Sequence, residues 1–266
     1  MSRFDGRVCL VTGSTGMAAS AARALVAERA RVFVTSRTPE HVRALADELG
    51  EVGWRAADLT LEADADAVVA DCIERFGRID ALYAVAGISG RSLGDGPLHE
   101  ATLAGWEAVI AANVTSLFLV SRATVRRMLA QEPDADGSRG VLLTMSSALA
   151  QHPSPAYFAT HAYAASKGAI EAFTRAVAAS YAPHGIRANA IAPALVATPM
   201  SRRAQDDPAI GAFLRAKQPL AGGPIQADAV TPVALHLLSR ESRMITGQVI
   251  EVDAGWSVSE PPPPPR

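Results

Sequence analysis

Along this chain, short apolar runs alternate with longer segments in which apolar positions recur every three or four residues. The first run, 7–12 (RVCLVT), reads as a buried strand, and an alanine-rich helical segment, 17–29, follows it. The pair then repeats. Strand 31–36 leads to helix 39–49, where Pro39 suits the first turn, and strand 53–57 leads to helix 61–76, with Val68, Val69, Cys72, Ile73 and Phe76 at helical spacing and Gly77 as its stop. Strand 80–86 precedes a long helix, 106–129, and strand 140–145 precedes helix 163–181. Strand 186–192 opens a stretch interrupted by Pro and Gly, 193–224, after which a helix at 228–239 leads to a last strand, 248–252. Continuous apolar strands alternating with helices predict a doubly wound α/β fold: a parallel sheet of about seven strands, right-handed crossovers, and helices on both faces. In such a sheet ligands bind beyond the carboxyl ends of the strands, so candidate site residues are those that follow strands.

Composition narrows the classes. With 266 residues, 49% hydrophobic and 20% charged, the chain suits one domain, 1–260, followed by a Pro-rich tail, 261–266, that favours polyproline II. A net charge of −2 offers no global positive field, which argues against a nucleic-acid partner. The longest apolar runs, such as 8–11 and 79–86, fall far short of the roughly 20 residues of a membrane span, and the first ten residues carry Arg3, Asp5 and Arg7 without an apolar signal core. A cytoplasmic protein with no membrane partner is therefore expected. Cys9 and Cys72 have neither disulfide nor zinc spacing, and no metal site is expected.

The first strand runs into Gly13-Ser14-Thr15-Gly16-Met17-Ala18 and then directly into a helix. Small residues there let backbone approach a pyrophosphate, which meets free N–H groups and the positive end of the helix dipole. At the end of the second strand, an acidic residue would bind a ribose 2′-hydroxyl and a basic one a 2′-phosphate. Ser36 and Arg37 stand there, which favours NADP(H) over NAD(H).

Tyr163 and Lys167 are four residues apart, hence on one helix face. A phenol with a pKa of about 10 exchanges protons poorly at neutral pH, and a neighbouring ammonium would lower that value. Ser147, just past the fifth strand, is placed to offer its hydroxyl to a substrate carbonyl.

Taken in order, these features resemble the short-chain dehydrogenase/reductase family, whose Rossmann-like fold and length match the whole chain. Tyr163 to Lys167 is similar to the family's YxxxK motif, Ser147 to its serine after the fifth strand, and Asn113, in Ala-Ala-Asn-Val, to its helix asparagine. The resemblance implies hydride transfer between a nicotinamide cofactor and a ketone or secondary alcohol. In it Tyr163 is the acid or base, Ser147 holds the oxygen, Lys167 lowers the phenol pKa and binds the ribose, and Asn113 places a water. It also implies Asp58 at the adenine edge, Gly87 beside the adenosine and Thr198 at the nicotinamide amide, with Leu59, Pro193 and Val196 among the cofactor-binding residues. A homotetramer or homodimer built on the long helices 106–129 and 163–181 is implied as well.

Three departures from the family pattern stand out. The glycine turn is one residue shorter than TGxxxGxG, with Ala18 for the last glycine; Ala84-Val85-Ala86-Gly87 stands for NNAG; and Pro193-Ala194 stands for PG. Every reacting group is kept, whereas the losses touch binding and scaffold. They motivate the alternative of a cofactor-binding or regulatory protein with weak or lost turnover. Substrate choice is expected in 88–97, 148–162 and 195–223, with an apolar or aromatic-walled pocket from Tyr157 and Phe158 and a capping role for His161.

Overall fold

A computed structural model describes residues 2–260; the Pro-rich tail lies outside the described residues. Seven parallel strands form one sheet: β1 (Val8–Thr12), β2 (Arg31–Ser36), β3 (Gly53–Ala56), β4 (Ala81–Ala84), β5 (Gly140–Met145), β6 (Ile186–Pro193) and β7 (Val249–Val252). Their spatial order is β3-β2-β1-β4-β5-β6-β7, so the direction of winding reverses between β1 and β4. A crevice opens at that switch point beyond the carboxyl ends of both strands.

The first three crossover helices are α1 (Gly16–Ala27), α2 (Pro39–Leu49) and α3 (Glu62–Phe76). After β4 come α4 (Leu103–Ile110) and α5 (Ser116–Ala130); after β5 come a short α6 (Pro155–Phe158) and α7 (His161–Tyr181). The segment after β6 holds α8 (Arg202–Asp206) and α9 (Pro208–Lys217), and α10 (Ala227–Leu238) precedes β7. One core layer packs α1, α2 and α10 on the sheet through residues such as Leu25, Leu45 and Leu235. On the opposite face α3, α5 and α7 contribute Val68, Val120 and Ile170. All residues of β1 and β5 are buried, which explains their nearly continuous apolar character.

Three expectations are corrected. The single helix 106–129 begins at Leu103 and is broken by a widened turn of π type, Ala111–Thr115, which carries Asn113. Helices α4 and α5 with that turn span Leu103–Ala130, which is long and apolar enough to cross a membrane by length and composition alone. Part of that apolar surface is used internally, since Leu117, Val120 and Met128 are buried in the core. The stretch 193–224 is not merely interrupted loop. Asp207 caps α9 by accepting from the N–H groups of Ala209 and Ile210 at 2.9 and 3.2 Å, and Pro208 occupies its first turn. Finally, β4 ends at Ala84 rather than at residue 86, because the Thr12 hydroxyl accepts from the N–H groups of Val85 and Ala86 at 3.0 and 3.1 Å and takes them out of the ladder.

Candidate active site

The glycine turn connects β1 to α1. Thr15 is the N-cap residue of α1 with extended backbone and no side-chain cap, and the N–H groups of Ser14, Thr15, Gly16 and Met17 find no acceptor among the described residues. Four free donors at a helix start form a cradle for an anion. The shortened turn is tightly fitted. A Cβ on Gly13 would lie 2.9 Å from the Ala18 Cβ, and one on Gly16 would lie 2.8 Å from Cγ2 of Thr198. Both glycines have positive φ, 109° and 54°. Thr198 therefore leans over the turn from beyond β6, across the crevice.

Two adjoining hollows share Gly87 and Ile88. The first is lined by Gly13, Ser14, Thr15, Ser36, Arg37, Asp58 and Leu59. Ser14 Oγ donates to Ser36 Oγ at 2.9 Å, and Arg37 stands exposed at the rim. The Thr60 hydroxyl, at 2.7 Å, holds the Asp58 carboxyl below the usual range, aided by the Thr60 N–H and the charge of Arg37. The second hollow is a cleft of about 170 Å³ that holds Ser147, Tyr163 and Lys167 with Met17, Pro193, Val196 and Thr198 on its walls. Free amides at one turn, a basic rim and a continuous groove past Gly87 fit an extended dinucleotide. In Ala84-Val85-Ala86-Gly87, which has no asparagine, the Thr12 hydroxyl holds the two backbone N–H groups that follow β4.

Tyr163 lies in the first turn of α7, and the start of that helix is fixed by a residue the sequence did not point to. Asp95, 5% exposed, accepts from the N–H groups of Ala162 at 3.0 Å and Tyr163 at 2.9 Å. Burial raises the Tyr163 phenol above its ordinary value, and the Ser147 hydroxyl facing it works in the opposite direction. Ser147 and Tyr163 are thus brought together as expected. Lys167 does not bring the phenol below its ordinary value: its Nζ donates to the Met145 carbonyl at 2.8 Å and stands 5.4 Å from the Tyr163 ring centroid. Burial depresses Lys167 itself to about 8.

Asn113 is engaged on three sides. Its Oδ1 accepts from Ile88 N at 2.7 Å, while Nδ2 donates to Ile88 O at 3.0 Å and to Ser166 Oγ at 2.9 Å. Its side chain therefore fixes the Gly87–Ile88 backbone at the waist of the groove. A π turn is a frequent device at functional sites because it re-aims one side chain of a helix. A Cβ on Gly87 would lie 2.9 Å from Asn113 Oδ1 and 3.8 Å from Lys167 Nζ, so glycine is required there by space.

Of the two expected aromatics only Phe158 lines the cleft, joined there by Trp256, while Tyr157 packs behind them with Phe213. Phe158 packs with Trp256 at 5.9 Å between ring centroids, Trp256 with Phe213 at 5.7 Å, and Phe213 with Tyr157 at 5.0 Å. Asp253 folds the Asp-Ala-Gly-Trp turn by accepting from Gly255 N at 2.9 Å and Ser257 N at 2.7 Å. That turn delivers Trp256 to the cleft from the chain's far end. His161 Nδ1 sits 2.8 Å from the Gly96 carbonyl and clasps the loop after β4 to α7, and His152 pairs with Glu251.

A family model described as enoyl-(acyl carrier protein) reductase matches residues 11–257. Momilactone A synthase of Oryza sativa subsp. japonica is 36% identical over 96% of this chain and 92% of its own length. Glucose 1-dehydrogenase of Gluconobacter oxydans (strain 621H) is 34% identical over 96% and 94%. Among solved structures, levodione reductase superposes with a TM-score of 0.86 at 29% identity, over 96% of this chain and 98% of that one. The 3-ketoacyl-(acyl-carrier-protein) reductase from Brucella melitensis, complexed with NADH, gives a TM-score of 0.84 at 28% identity over 96% and 99%. Sheet order, the groove past Gly87 and these likenesses agree: the chain belongs to the short-chain dehydrogenase/reductase family, as an oxidoreductase of alcohols and ketones that uses a nicotinamide cofactor.

Proposed function

We propose that residues 1–260 act as one cytoplasmic catalytic unit in which Tyr163, Ser147 and Lys167 interconvert a ketone and a secondary alcohol, with NADP(H) preferred over NAD(H). The observation that carries this reading is the facing pair of Ser147 hydroxyl and Tyr163 phenol in an apolar cleft, with Lys167 one helical turn away. In reduction, the phenol gives its proton to the substrate oxygen while the Ser147 hydroxyl donates a hydrogen bond to that same oxygen. In oxidation, the phenolate takes the alcohol proton. The nicotinamide, when bound, supplies or accepts the hydride. Lys167 keeps a cation beside the phenol below its lowered pKa of about 8, and Asn113 acts through the Ile88 backbone as a positioning residue.

For the cofactor, the free amides from Ser14 to Met17 would hold the pyrophosphate, Asp58 and Leu59 the adenine end, and Pro193, Val196 and Thr198 the amide end. The preference for NADP(H) is supported by Arg37 and Ser36 at the rim, where no carboxylate follows β2 to repel a 2′-phosphate. The half-exposed face of α5 and α7, with Phe118, Leu129 and Phe173, supports association into a homodimer or homotetramer. Purified protein mixed with NADPH or NADH and a panel of ketones, followed by nicotinamide absorbance, tests the reading. Tyr163→Phe should bind NADPH nearly as the parent does and lose turnover. Substantial residual turnover in that variant overturns the assignment, and cofactor binding without turnover in the parent returns the chain to the regulatory alternative.

A further inference from the structure

The catalytic cleft carries charge of one sign. Among the described residues, the charged side chains on its walls apart from Lys167 at its floor are Arg91 and Arg203, and no carboxylate lines it. The rest of the wall is apolar, with Leu149, Phe158, Leu195, Met200 and Trp256. Arg91 opens a short 3-10 turn after β4, and Arg203 lies in α8 after β6, so the two reach the cleft from opposite sides of the sheet's carboxyl end. Both are exposed, and neither forms an ion pair among the described residues. Their terminal nitrogens converge on one acceptor, the Tyr157 carbonyl, at 3.0 Å for Arg91 and 3.4 Å for Arg203.

One neutral carbonyl cannot balance two guanidinium groups. Each guanidinium carries five N–H donors in a planar fork suited to two oxygens of an anion, and the contact to Tyr157 uses one donor from each. Burial and then the charge of Arg203 push Arg91 below its ordinary value, opposed by the charge of Asp95, whose carboxylate is itself committed to the N–H groups of Ala162 and Tyr163, so the two guanidinium groups repel each other at this site. With the whole chain at −2, this positive site is local rather than part of a general field.

We infer that the substrate is an apolar ketone or secondary alcohol bearing a carboxylate away from the reacting carbon, with that carboxylate held between Arg91 and Arg203 at the mouth of the cleft. The inference rests on the oxidoreductase reading above and adds a substrate class to it. Apolar walls would accept the body of such a molecule, and the two cations would fix its length and orientation relative to Ser147 and Tyr163.

Methyl-ketone carboxylates of increasing chain length, each paired with its methyl ester, form the test set. With the parent protein and NADPH, the acid should exceed its ester in kcat/KM by about tenfold or more at one preferred chain length, as charged hydrogen bonds imply. In the double variant Arg91→Gln/Arg203→Gln that ratio should fall to about one, and in the parent it should shrink as salt is raised. A second arm separates binding from turnover: calorimetry on Tyr163→Phe saturated with NADPH should show the acid binding more tightly than the ester. Equal binding and equal kcat/KM for acid and ester at every length overturn the inference and leave the oxidoreductase reading intact. If the parent reduces none of these ketones although Tyr163→Phe binds the acids selectively, the reaction assignment fails and the anion site stands.

Discussion

Asp95 accepts hydrogen bonds from the backbone N–H groups of Ala162 and Tyr163, so a buried carboxylate in the loop after β4 caps the helix that carries the candidate acid. The negative charge sits at the positive end of α7, and two donors that would otherwise be orphaned are satisfied. Asp95→Ala should lower stability by about 1–3 kcal/mol through loss of these bonds. It should also reduce kcat more than it weakens NADPH binding, because the first turn of α7 sets the phenol position. Asp95→Asn, which keeps one acceptor oxygen, should recover part of both. Thermal melts and steady-state kinetics on the two variants check this; parental kcat in Asp95→Ala would refute the positioning role.

Ser147 counters the burial that raises the Tyr163 phenol. Alcohol oxidation needs phenolate and therefore rises with pH through the phenol pKa. Ser147→Ala removes the stabilising hydroxyl, so this rise should move to higher pH while the rate at its plateau falls by about 10²–10³-fold. A pH profile of alcohol oxidation for both proteins reads the displacement. An unshifted profile would separate Ser147 from the phenol.

Burial sets Lys167 at about 8, below its ordinary 10.5. The folded protein thus holds fewer protons than the unfolded chain between these values, and the cost of burying the ammonium is present in full below pH 8 and vanishes as pH rises to 10.5. Lys167→Met should abolish turnover. Its stability relative to the parent should fall by up to ~3 kcal/mol between pH 8 and 10.5, as the parent sheds that cost. Denaturant titrations of both proteins across this range measure the difference, and a difference independent of pH contradicts the assigned shift.

Gly87 sits where a Cβ would meet Asn113 Oδ1 at 2.9 Å. Gly87→Ala must therefore displace the Asn113 amide from Ile88 or push the groove wall outward, at a cost of about 1–3 kcal/mol typical of overpacking. Weaker NADPH binding by about tenfold, read by fluorescence titration, is expected. Unchanged affinity would show that the waist of the groove yields freely.

The periodic parts of this fold were legible before any coordinates. Strands 31–36 and 140–145 and helix 39–49 carry their apolar period to the same ends in the structure, because the residues that close them, such as Pro39 and Gly50, act within a few positions. Tyr163, Ser147 and the glycine turn were legible for a related reason: each follows or opens a periodic element, so its place at the carboxyl end of the sheet follows from the element order. Helix α9 carried its signal in Asp207-Pro208 and in the spacing of Ile210 and Leu214, obscured by neighbouring Pro and Gly.

What the sequence determined by itself, then, was the winding of the sheet and the reacting groups along its carboxyl edge. Only the tertiary structure decided what surrounds them. Asp95 under α7, Thr12 holding Val85 and Ala86, Trp256 entering the cleft, and the meeting of Arg91 with Arg203 all join residues far apart in the chain. Hydrophobic period reports which face of an element is covered, not which loop covers it. The state of the phenol was likewise a tertiary matter, since spacing put Lys167 near Tyr163 while burial raised the phenol and packing turned the ammonium to the Met145 carbonyl.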